Sequence, residues 1–527
     1  MRRIGWVLLV LLTLGTGSCG GNDDTGGGET LLEVVLHHGN NSRPYMPLPA
    51  EVAKQIKGAL ATVGIDAEIR MVEWTPYLDM VQNGEHQMAL LGWSADIPDA
   101  DNFLHVLLHK DNATPGSANN ISFYKSDEVS AKLSEARLIG DDARRMQLYR
   151  EAQQMIFDDV PMVPLVYTDK MIAHRKEFGT IAVEKMNHPM LRLVSQPKDG
   201  SLVYLRGNDS TKLDPGDVTD GESSKVVEQI FDQLIRFKSG TVEVEPSLAT
   251  AWSHSEDRKT WVFTIREGVT FHDGTKLDGA AVANAFERQR DPEHPHHFDD
   301  GVWSYWQNLF GFIEKVEVGS NPMEVVFRCK EPAPPFFIPM LAAFNTSIPS
   351  PAALTKYGKK FRRNPVGTGP FKFVSWKSGE EIKLERNDDY WDGAPTLKTV
   401  FFRVSDNPTI RSTRLMAGEQ ADLIDNLDPQ TVPDLDAHAD VSLVRAPGIN
   451  VGYLAMNTQK PPFDDPRVRE AVALALSKPR IVKFAYQGLA RPATTPVPPT
   501  MPGHHEGIVD RKRDAKKARA LLEEALK

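Results

Sequence analysis

The chain has 527 residues, of which 41% are hydrophobic and 25% charged, so its composition is that of a globular protein with several structural units. Its 61 basic and 71 acidic residues leave a net charge of −10, which argues against a nucleic-acid-binding protein because such proteins need a basic surface. The two cysteines, Cys19 and Cys329, are too few for a cysteine-rich zinc site or a disulfide scaffold.

The start of the chain predicts an export signal. A basic beginning precedes the apolar run 7–14, and small residues lead from there to Cys19. The run is too short to span a bilayer, so we interpret residues 1–19 as a signal peptide, with an uncleaved anchor as the alternative. The small residues before Cys19 resemble a bacterial lipoprotein cleavage site, at which Cys19 becomes the lipidated first residue. Residues 20–29 form a flexible tether.

Hydrophobic periodicity predicts an α/β unit after the tether. Aliphatic runs indicate strands, and apolar residues at helical spacing indicate helices. The predicted order is strand 31–36, helix 49–63, strand 66–72, helix 75–83 and strand 88–93. Such alternation is typical of a parallel sheet. Two amphipathic helices, 126–139 and 141–157, and a strand at 163–168 follow.

From about residue 201 strands become more frequent. They are predicted at 260–265, 324–328, 369–376, 381–385 and 397–404. A helix is predicted at 279–289, and Asp278 is placed to cap its first turn. Helices return after residue 465, at 466–476, 478–486 and 513–526.

Several segments carry recognisable motifs, namely residues 248–274, 365–371 (PVGTGPF), 386–391 (RNDDYW) and 463–469 (FDDPRVR). Together they resemble the extracellular solute-binding proteins of family 5, which are the peptide, dipeptide and nickel receptors of ABC importers. Residues 73–103 are most similar to the dipeptide-binding branch. The resemblance implies an α/β, periplasmic-binding-protein-like fold of type II, with two lobes, a hinge between them and a ligand enclosed by their closure.

The order of these segments differs from that of the family. Residues 30–194 resemble the family's C-terminal part, and residues 201–527 resemble its N-terminal part. The simplest explanation is a circular permutation in which the family's termini are fused near residues 195–200. A fusion of fragments from two receptors is the alternative. Because compact domains tolerate permutation where their termini are close together, Thr30 and Lys527 should lie within about 20 Å of each other.

The permuted order implies a continuous lobe I and a split lobe II. Lobe I comprises residues 168–447. Lobe II comprises residues 30–167 and 448–527, and the lipid tether is attached to it. The chain is expected to cross between the lobes near residues 166–168 and 446–449.

An enclosed peptide has an ammonium at one end and a carboxylate at the other, and burying either charge is costly unless it finds a partner. An arginine fork suits the carboxylate. By resemblance to dipeptide receptors, Arg43 binds the ligand carboxylate and Asp96 binds the ligand amino group. Both follow apolar strands, at the strand ends where open α/β sheets bind ligands. A solvated loop arginine and a turn-capping aspartate are the competing interpretations.

Between the two charges, a peptide backbone is best held by strand addition. The resemblance implies that Gly92, Trp93 and Ser94 offer the strand edge. Trp93 either walls a side-chain pocket or packs in the core. Trp303 and Tyr305 match an aromatic stretch of lobe I that faces the cleft in relatives, and core packing is an equal alternative for them.

The loop after Asp96 departs from the family. Lys110 and Lys125 stand near the places where relatives often carry a cysteine pair, and Ala100 replaces the proline of an Asp-Pro-Asp motif. We therefore expect this loop to be less rigid than in relatives. Cys329 is expected to remain a free thiol.

Enzyme motifs compete poorly with this interpretation. The sequence contains no Gly-x-Ser-x-Gly, His-Glu-x-x-His or P-loop motif. The histidines at 37–38, 294–297 and 504–505 could bind a metal, but their Pro-, Gly- and Asp-rich surroundings favour exposed loops. We therefore expect no catalysis, no metal site and no cofactor.

The sequence thus predicts an exported, lipid-anchored receptor subunit of an ABC importer, in the periplasm or at the cell surface. It is expected to be a monomer that captures a dipeptide or short peptide and delivers it to a membrane permease. One alternative is a peptide sensor that docks on a membrane signalling protein. Another is a receptor for a nickel chelate, heme, glutathione or a sugar.

Overall fold

The computed structural model describes residues 29–186, 188–195, 200–303 and 306–527. The predicted signal peptide, Cys19 and all of the tether except residue 29 lie outside the described residues. Tyr305 and residues 196–199 of the predicted fusion segment lie outside them as well.

The described residues form eighteen strands. They are β1 (Leu32–Gly39), β2 (Ile65–Val72), β3 (Met88–Ser94), β4 (Met162–Arg175), β5 (Ser201–Arg206), β6 (Ile235–Phe237), β7 (Val244–Pro246), β8 (Ala249–His254), β9 (Thr260–Ile265), β10 (Ile313–Val318), β11 (Glu324–Cys329), β12 (Phe371–Lys377), β13 (Glu381–Arg386), β14 (Thr399–Val404), β15 (Leu423–Asp425), β16 (Val441–Pro447), β17 (Asn450–Met456) and β18 (Ala490–Pro492).

Fourteen α-helices lie among the described residues. They are α1 (Pro49–Ala61), α2 (Trp74–Gln82), α3 (Asp101–Leu108), α4 (Asp127–Leu138), α5 (Asp142–Asp159), α6 (Gly221–Ile230), α7 (Gly279–Arg290), α8 (Phe337–Met340), α9 (Pro351–Tyr357), α10 (Pro408–Ala417), α11 (Val432–Ala437), α12 (Pro466–Ala475), α13 (Lys478–Ala485) and α14 (Ala515–Ala525).

The predicted elements are confirmed with shifts of a few residues at their ends. The predicted cap is confirmed too, since the Asp278 carboxylate accepts a hydrogen bond of 2.9 Å from the Ala281 amide at the start of α7. The exception is β4, which is much longer than the predicted 163–168. Its second half is bordered by β15 and β16, and these partners extend the strand beyond its aliphatic run.

Twelve strands form one mixed sheet, whose main path is β12-β13-β14-β5-β15-β4-β17-β3-β1-β2. Strands β16 and β18 also pair with β4. β1 runs parallel to both β2 and β3, as the predicted α/β alternation requires. A four-stranded sheet of order β10-β11-β9-β8 and the β6-β7 pair complete the described strands. The fold is therefore α/β, as predicted.

The apolar cores divide the chain into two parts. Two core clusters contain residues 34–167 and 449–522 only, apart from partly buried side chains at their margins. Three others contain residues 172–441, and Ile97 joins one of them. The division falls at the predicted crossings, which supports the proposed lobe boundaries. We refer to the two parts as lobe II and lobe I.

The two crossings between these parts lie side by side. β4 pairs with β17 and β18 through residues 162–168 and with β16 through residues 169–175. Gly448 stands between β16 and β17, where an added Cβ would lie 2.3 Å from the Thr168 carbonyl oxygen. Only glycine therefore allows the second crossing to approach the first so closely.

The two ends of the described chain meet in one lobe. The Arg519 guanidinium of α14 donates a hydrogen bond of 3.4 Å to the Glu29 carbonyl oxygen. Leu31 and Leu32 pack against the core cluster that contains Ala518 and Leu522. This proximity supports the permuted arrangement, which remains a proposal.

Candidate functional site

The candidate site lies at the carboxyl ends of β1 and β3. These parallel strands are neighbours, with His38 opposite Leu90, so the loops that follow them leave the same edge of the sheet. Arg43 lies four residues after the end of β1, and Asp96 lies two residues after the end of β3. The sheet therefore brings the two predicted ligand-binding loops together.

Arg43 is a half-buried cation that is held by an aromatic ring. Its guanidinium carbon lies 3.6 Å from the centroid of the Trp74 ring, and its Nε is buried without a hydrogen-bond partner among the described residues. Burial lowers the pKa of Arg43, while Tyr45 and the lobe I carboxylates of Asp220 and Glu222 oppose the shift. A ligand carboxylate at this position would supply hydrogen bonds that the guanidinium lacks.

Tyr45 connects the Arg43 loop to β3. An added Cβ on Gly92 would lie 2.2 Å from the Tyr45 ring, so the glycine is needed for this contact. The Tyr486 hydroxyl donates a hydrogen bond of 3.1 Å to the Tyr45 carbonyl oxygen. The sequence predicted a role for Gly92 in a strand edge, and the structure adds this packing role.

The strand edge of Gly92 and Ser94 points away from β17. The Ala95 amide donates to the Ile449 carbonyl oxygen at 2.9 Å, and Trp93 lies opposite Val451 in the same antiparallel ladder. Because backbone groups alternate along a strand, those of Gly92 and Ser94 face the opposite side. Pairing with β1 ends at Leu90, so no strand of the described chain pairs with them there.

Asn102 links Trp93 to the Asp96 turn. Its Oδ1 accepts hydrogen bonds of 2.9 Å from both the Trp93 indole nitrogen and the Asp96 amide. Trp93 is half-buried against the lobe II core, and Ser94 is exposed. The Trp93 ring thus has a defined orientation beside the strand edge, as either of its predicted roles requires.

The loop after Asp96 is held by buried charges. The Asp99 carboxylate accepts a hydrogen bond from the Arg145 guanidinium in an ion pair whose side chains are both buried. Burial raises the pKa of Asp99, and Arg145 opposes that rise. Burial also raises the pKa of Asp101 to about 6, although Arg137 opposes it. The expectation of a less rigid loop considered only the absent cysteines and proline, and it did not anticipate these contacts.

Ile97 extends the same loop into the other lobe. Its side chain is fully buried in a core cluster of lobe I. The Arg145 guanidinium carbon also lies 5.3 Å from the centroid of the Phe336 ring, which belongs to that cluster. The loop that carries Asp96 therefore contacts both lobes.

Lobe I presents a charged cluster that the sequence patterns did not reveal. The Lys225 ammonium lies 2.6 Å from Asp425 and 2.9 Å from Glu222, and Arg206 lies beside them. Burial raises the pKa of Glu222, while Lys225 opposes the rise. Hydrophobic periodicity gave no sign of this cluster, because its residues come from α6, β5 and β15, which are distant in sequence.

The Arg43 loop is attached to the first crossing. The Thr168 hydroxyl lies 2.9 Å from the Pro44 carbonyl oxygen and 2.8 Å from Asn450 Oδ1. The Thr168 amide also donates to Asn450 Oδ1, at 3.1 Å. The loop that carries Arg43 is thus hydrogen-bonded directly to the first crossing between the lobes.

The predicted aromatic pair of lobe I is only half described. Trp303 is 6% exposed and packs in a core cluster, where its indole nitrogen donates to the Phe298 carbonyl oxygen at 3.2 Å. Its ring stacks on His297 with centroids 4.6 Å apart. Trp303 is therefore packed among side chains of lobe I, and its contact with a ligand stays a prediction.

The described residues hold neither a metal cluster nor a spanning helix. No group of three or more His, Cys, Asp or Glu side chains in these ranges could hold a metal ion. None of the helices in the described part of the chain is long and apolar enough to cross a membrane. Cys329 is a buried free thiol, and burial raises its pKa to about 12.

Two lobes joined by paired crossings, with charged loops at strand ends between them, define the class of two-lobed ligand-binding proteins. The sequence model of the bacterial extracellular solute-binding proteins, family 5, matches residues 21–115 and 243–527, which is well over half of the chain. The chain belongs to this family.

Individual relatives agree with this assignment. The dipeptide-binding protein of Escherichia coli (strain K12) is 32% identical over 343 residues, which cover 62% of this chain and 63% of the relative. A glutathione-binding protein of the same strain is 34% identical over 327 residues, covering 62% and 61%. The periplasmic binding protein DppA of Helicobacter pylori, solved with the peptide STSA, is 32% identical with a TM-score of 0.56 and coverages of 62% and 66%. The chain thus spans less than two thirds of each relative.

Proposed function

We propose that this protein is the substrate-binding subunit of an ABC importer and captures dipeptides or short peptides between its two lobes. The observation that carries the proposal is the half-buried guanidinium of Arg43, which is stacked on Trp74 and whose Nε has no hydrogen-bond partner in the described part of the chain. Asp96 follows the neighbouring strand at the same sheet edge. The two loops therefore offer opposite charges to the two ends of one zwitterion.

The strand edge between these loops suits a peptide backbone. The backbone groups of Gly92 and Ser94 face away from β17, and hydrogen bonds to them would add the ligand as a short strand. A free amino acid carries both charges but has no peptide group to pair with this edge. A dipeptide or short peptide satisfies all three requirements.

The relatives support a peptide-like ligand. They include a protein named for dipeptides, one named for glutathione and one solved with the peptide STSA. All three ligands carry amino and carboxylate groups that opposite fixed charges can bind. Glutathione is therefore the second candidate, ahead of a nickel chelate, heme or a sugar. A sensor that docks on a membrane signalling protein would use the same site.

The delivery step is also part of the proposal. Closure of the lobes over the ligand would present a surface to the membrane permease, and a lipid at Cys19 would keep the receptor at the membrane. We propose a periplasmic or cell-surface location, a monomeric receptor, and Gly92, Trp93 and Ser94 as further ligand contacts. That Trp303 and Tyr305 contact the ligand stays a prediction.

Titration calorimetry with a dipeptide and its C-terminal amide tests the carboxylate site. Arg43→Ala should weaken dipeptide binding about 100-fold or more, because a buried charge pair is lost. The Arg43→Ala variant should bind the dipeptide and its C-terminal amide with similar affinity, because it no longer has the group that recognises the carboxylate. The control Arg70→Ala removes an exposed arginine of β2 that pairs with Glu68 and should bind as the unmodified chain does. Unchanged affinity of Arg43→Ala would refute the proposed carboxylate site.

The ammonium site has its own test. Asp96→Ala should weaken binding of the dipeptide but not lower further the affinity for an N-acetylated dipeptide. Native mass spectrometry of the protein purified from its own host would then identify the captured ligand. Recovery of a heme or a sugar in place of a peptide would contradict the proposed ligand class.

A rearranged gene tests the segment order. It joins residues 201–527 through a short loop to residues 30–194. If α14 and β1 are neighbours in the way that a permutation requires, the rearranged chain should keep the dipeptide affinity and melting temperature of the original. Failure to fold would contradict the permuted arrangement.

A further inference from the structure

We infer that Asn102 is a positioning residue, which sets the direction of the Asp96 carboxylate and of the Trp93 ring toward the ligand. The inference rests on the proposed function of the cleft. It assigns a role to a side chain that no motif in the sequence singled out as part of the site.

The hydrogen bonds of Asn102 identify the role. Its Oδ1 accepts from the Trp93 indole nitrogen and from the Asp96 amide, both at 2.9 Å. Both neighbours are donors, so the orientation of the amide group is determined by chemistry. One oxygen therefore holds a ring of the strand edge and the backbone of the ammonium-binding residue.

The rest of the surroundings leave Asn102 little freedom. It is 1% exposed and lies in the first turn of α3, where its backbone amide donates to the Asp99 carbonyl oxygen at 3.1 Å. Asp99 is in turn paired with buried Arg145. The Asn102 amide is thus anchored to the lobe II interior, and it fixes Trp93 and Asp96 relative to that interior.

The nitrogen of the Asn102 amide shows which of the two amide atoms does the positioning. Asn102 Nδ2 is buried and has no hydrogen-bond partner within the described ranges. The oxygen alone therefore carries the positioning contacts. A variant that keeps the oxygen but loses the NH2 group should retain the role, and a variant that loses both should not.

Calorimetry on four chains tests the inference. Asn102→Ala should weaken dipeptide binding about 10-fold, because the two hydrogen bonds that orient Trp93 and Asp96 are lost. Asn102→Asp should stay within about threefold of the unmodified chain, because it keeps an acceptor oxygen and burial favours its neutral form. The matched control is Asn120→Ala. Asn120 is a fully buried asparagine of the same lobe that bonds to His109 and Tyr124. The Asn120→Ala variant should lose stability but keep the dipeptide affinity of the unmodified chain.

A double-mutant cycle with Asp96→Ala distinguishes positioning from general destabilisation. If Asn102 acts through Asp96 and Trp93, Asn102→Ala should cost clearly less in the Asp96→Ala background than in the unmodified chain. A full and additive cost in both backgrounds, or an affinity loss in Asn120→Ala equal to that of Asn102→Ala, would overturn the inference. So would an Asn102→Asp variant as weak as Asn102→Ala.

The outcome also separates this inference from the proposed function. If the unmodified chain binds no dipeptide, the proposed function fails and the inference fails with it. If the unmodified chain binds and Asp96→Ala weakens binding while Asn102→Ala does not, the proposed function stands and the inference alone is overturned.

Discussion

The Asp96 loop and the Arg43 loop leave the same sheet edge but are held very differently. The Asp96 loop is bonded by Asn102, paired through Asp99 to Arg145 and buried at Ile97. The Arg43 guanidinium rests on a single ring, Trp74, and its Nε has no partner among the described residues. The Asp96 loop is therefore preorganised by its contacts, whereas Arg43 keeps a hydrogen-bond donor that no described residue uses.

This difference predicts that the two loops bind a ligand in different ways. A preorganised end loses little entropy when it binds a group of fixed shape such as an ammonium. An arginine that is stacked on a ring, and whose Nε has no partner in the ranges that the structure describes, can shift along the ring to meet carboxylates at slightly different distances. Under the proposed function, we therefore expect the Asp96 end to select for an ammonium group and the Arg43 end to tolerate differences in ligand length.

Breaking the buried Asp99–Arg145 ion pair, which holds the Asp96 loop, should have the largest effect on stability. Arg145→Met leaves Asp99 buried without its cation, so we expect the free energy of unfolding to fall by about 3 kcal/mol. Urea unfolding followed by circular dichroism measures the change. Arg144→Met is the control, since its ion pair with Glu135 is partly exposed and is worth about 0.5 kcal/mol. Equal losses in the two variants would show that the Asp99 pair does not anchor the loop.

The protonation of Asp101, which follows the Asp96 loop at the start of α3, should make the stability of the folded chain depend on pH. Its pKa of about 6 lies above the ordinary 3.8, so between these values the folded chain binds more protons than the unfolded chain. Stability should therefore fall as the pH rises through this window. Asp101→Asn removes this titration, so the unmodified chain alone should lose this stability. The free energy of unfolding of the variant, measured relative to that of the unmodified chain, should therefore rise by about 2 kcal/mol between pH 4 and pH 7.

Melting temperatures from pH 4 to 7 test this expectation. Asp79→Asn, at an exposed position of α2, is the control and should keep the pH profile of the unmodified chain. A profile that is the same in Asp101→Asn as in the unmodified chain would contradict the expected role of this buried carboxyl.

The contact that joins the two loops can be tested at Gly92. Gly92→Ala places a methyl group 2.2 Å from the Tyr45 ring, which must move and shift the Arg43 loop with it. We expect a loss of about 1.5 kcal/mol in stability and weaker dipeptide binding. Gly58→Ala in α1, where an added Cβ meets nothing within 4 Å, should leave affinity unchanged and not reduce stability. Normal binding by Gly92→Ala would show that the two loops are not linked through Tyr45.

Removing the ring beneath Arg43 should have the smallest effect of the four. Trp74→Ala deprives the guanidinium of its platform, so we expect dipeptide binding to weaken about fivefold, in line with a partly desolvated cation–π contact. Trp74→Phe should recover part of the loss. Trp376→Ala removes a similar ring 3.3 Å from the Arg363 guanidinium, in lobe I, and should not change affinity. Calorimetry that finds the same affinity in all three variants would contradict the role of the stack.

Sequence patterns predicted most elements around the site but not its supporting contacts. The strands at 31–36 and 88–93 were found because aliphatic runs and alternation are local properties. β17 was not predicted, because it is buried throughout and has no polar face to set a period. The candidate site residues Arg43 and Asp96 came from motif resemblance. Trp74 and Asn102 lie in segment 73–103, which resembles the dipeptide-binding branch, but their contacts with Arg43 and Asp96 became visible only in the structure.

The expectation for the loop after Asp96 shows the limit most clearly. Missing cysteines and a missing proline are visible in a sequence, but the Asp99–Arg145 pair joins residues that only the packing of α5 against the loop brings together. Ile97 likewise gives no local sign that it enters the core of the other lobe.

The sequence by itself predicted the export signal, the family resemblance, the order of the segments and the positions of most of the helices and strands around the site, because these depend on local motifs, composition and periods of a few residues. The tertiary structure alone decided which side chains hold Asp96, what supports Arg43 and how the lobe I charges pair with one another. These are contacts between residues far apart in the chain, and their energies depend on burial and distance, which no local pattern encodes.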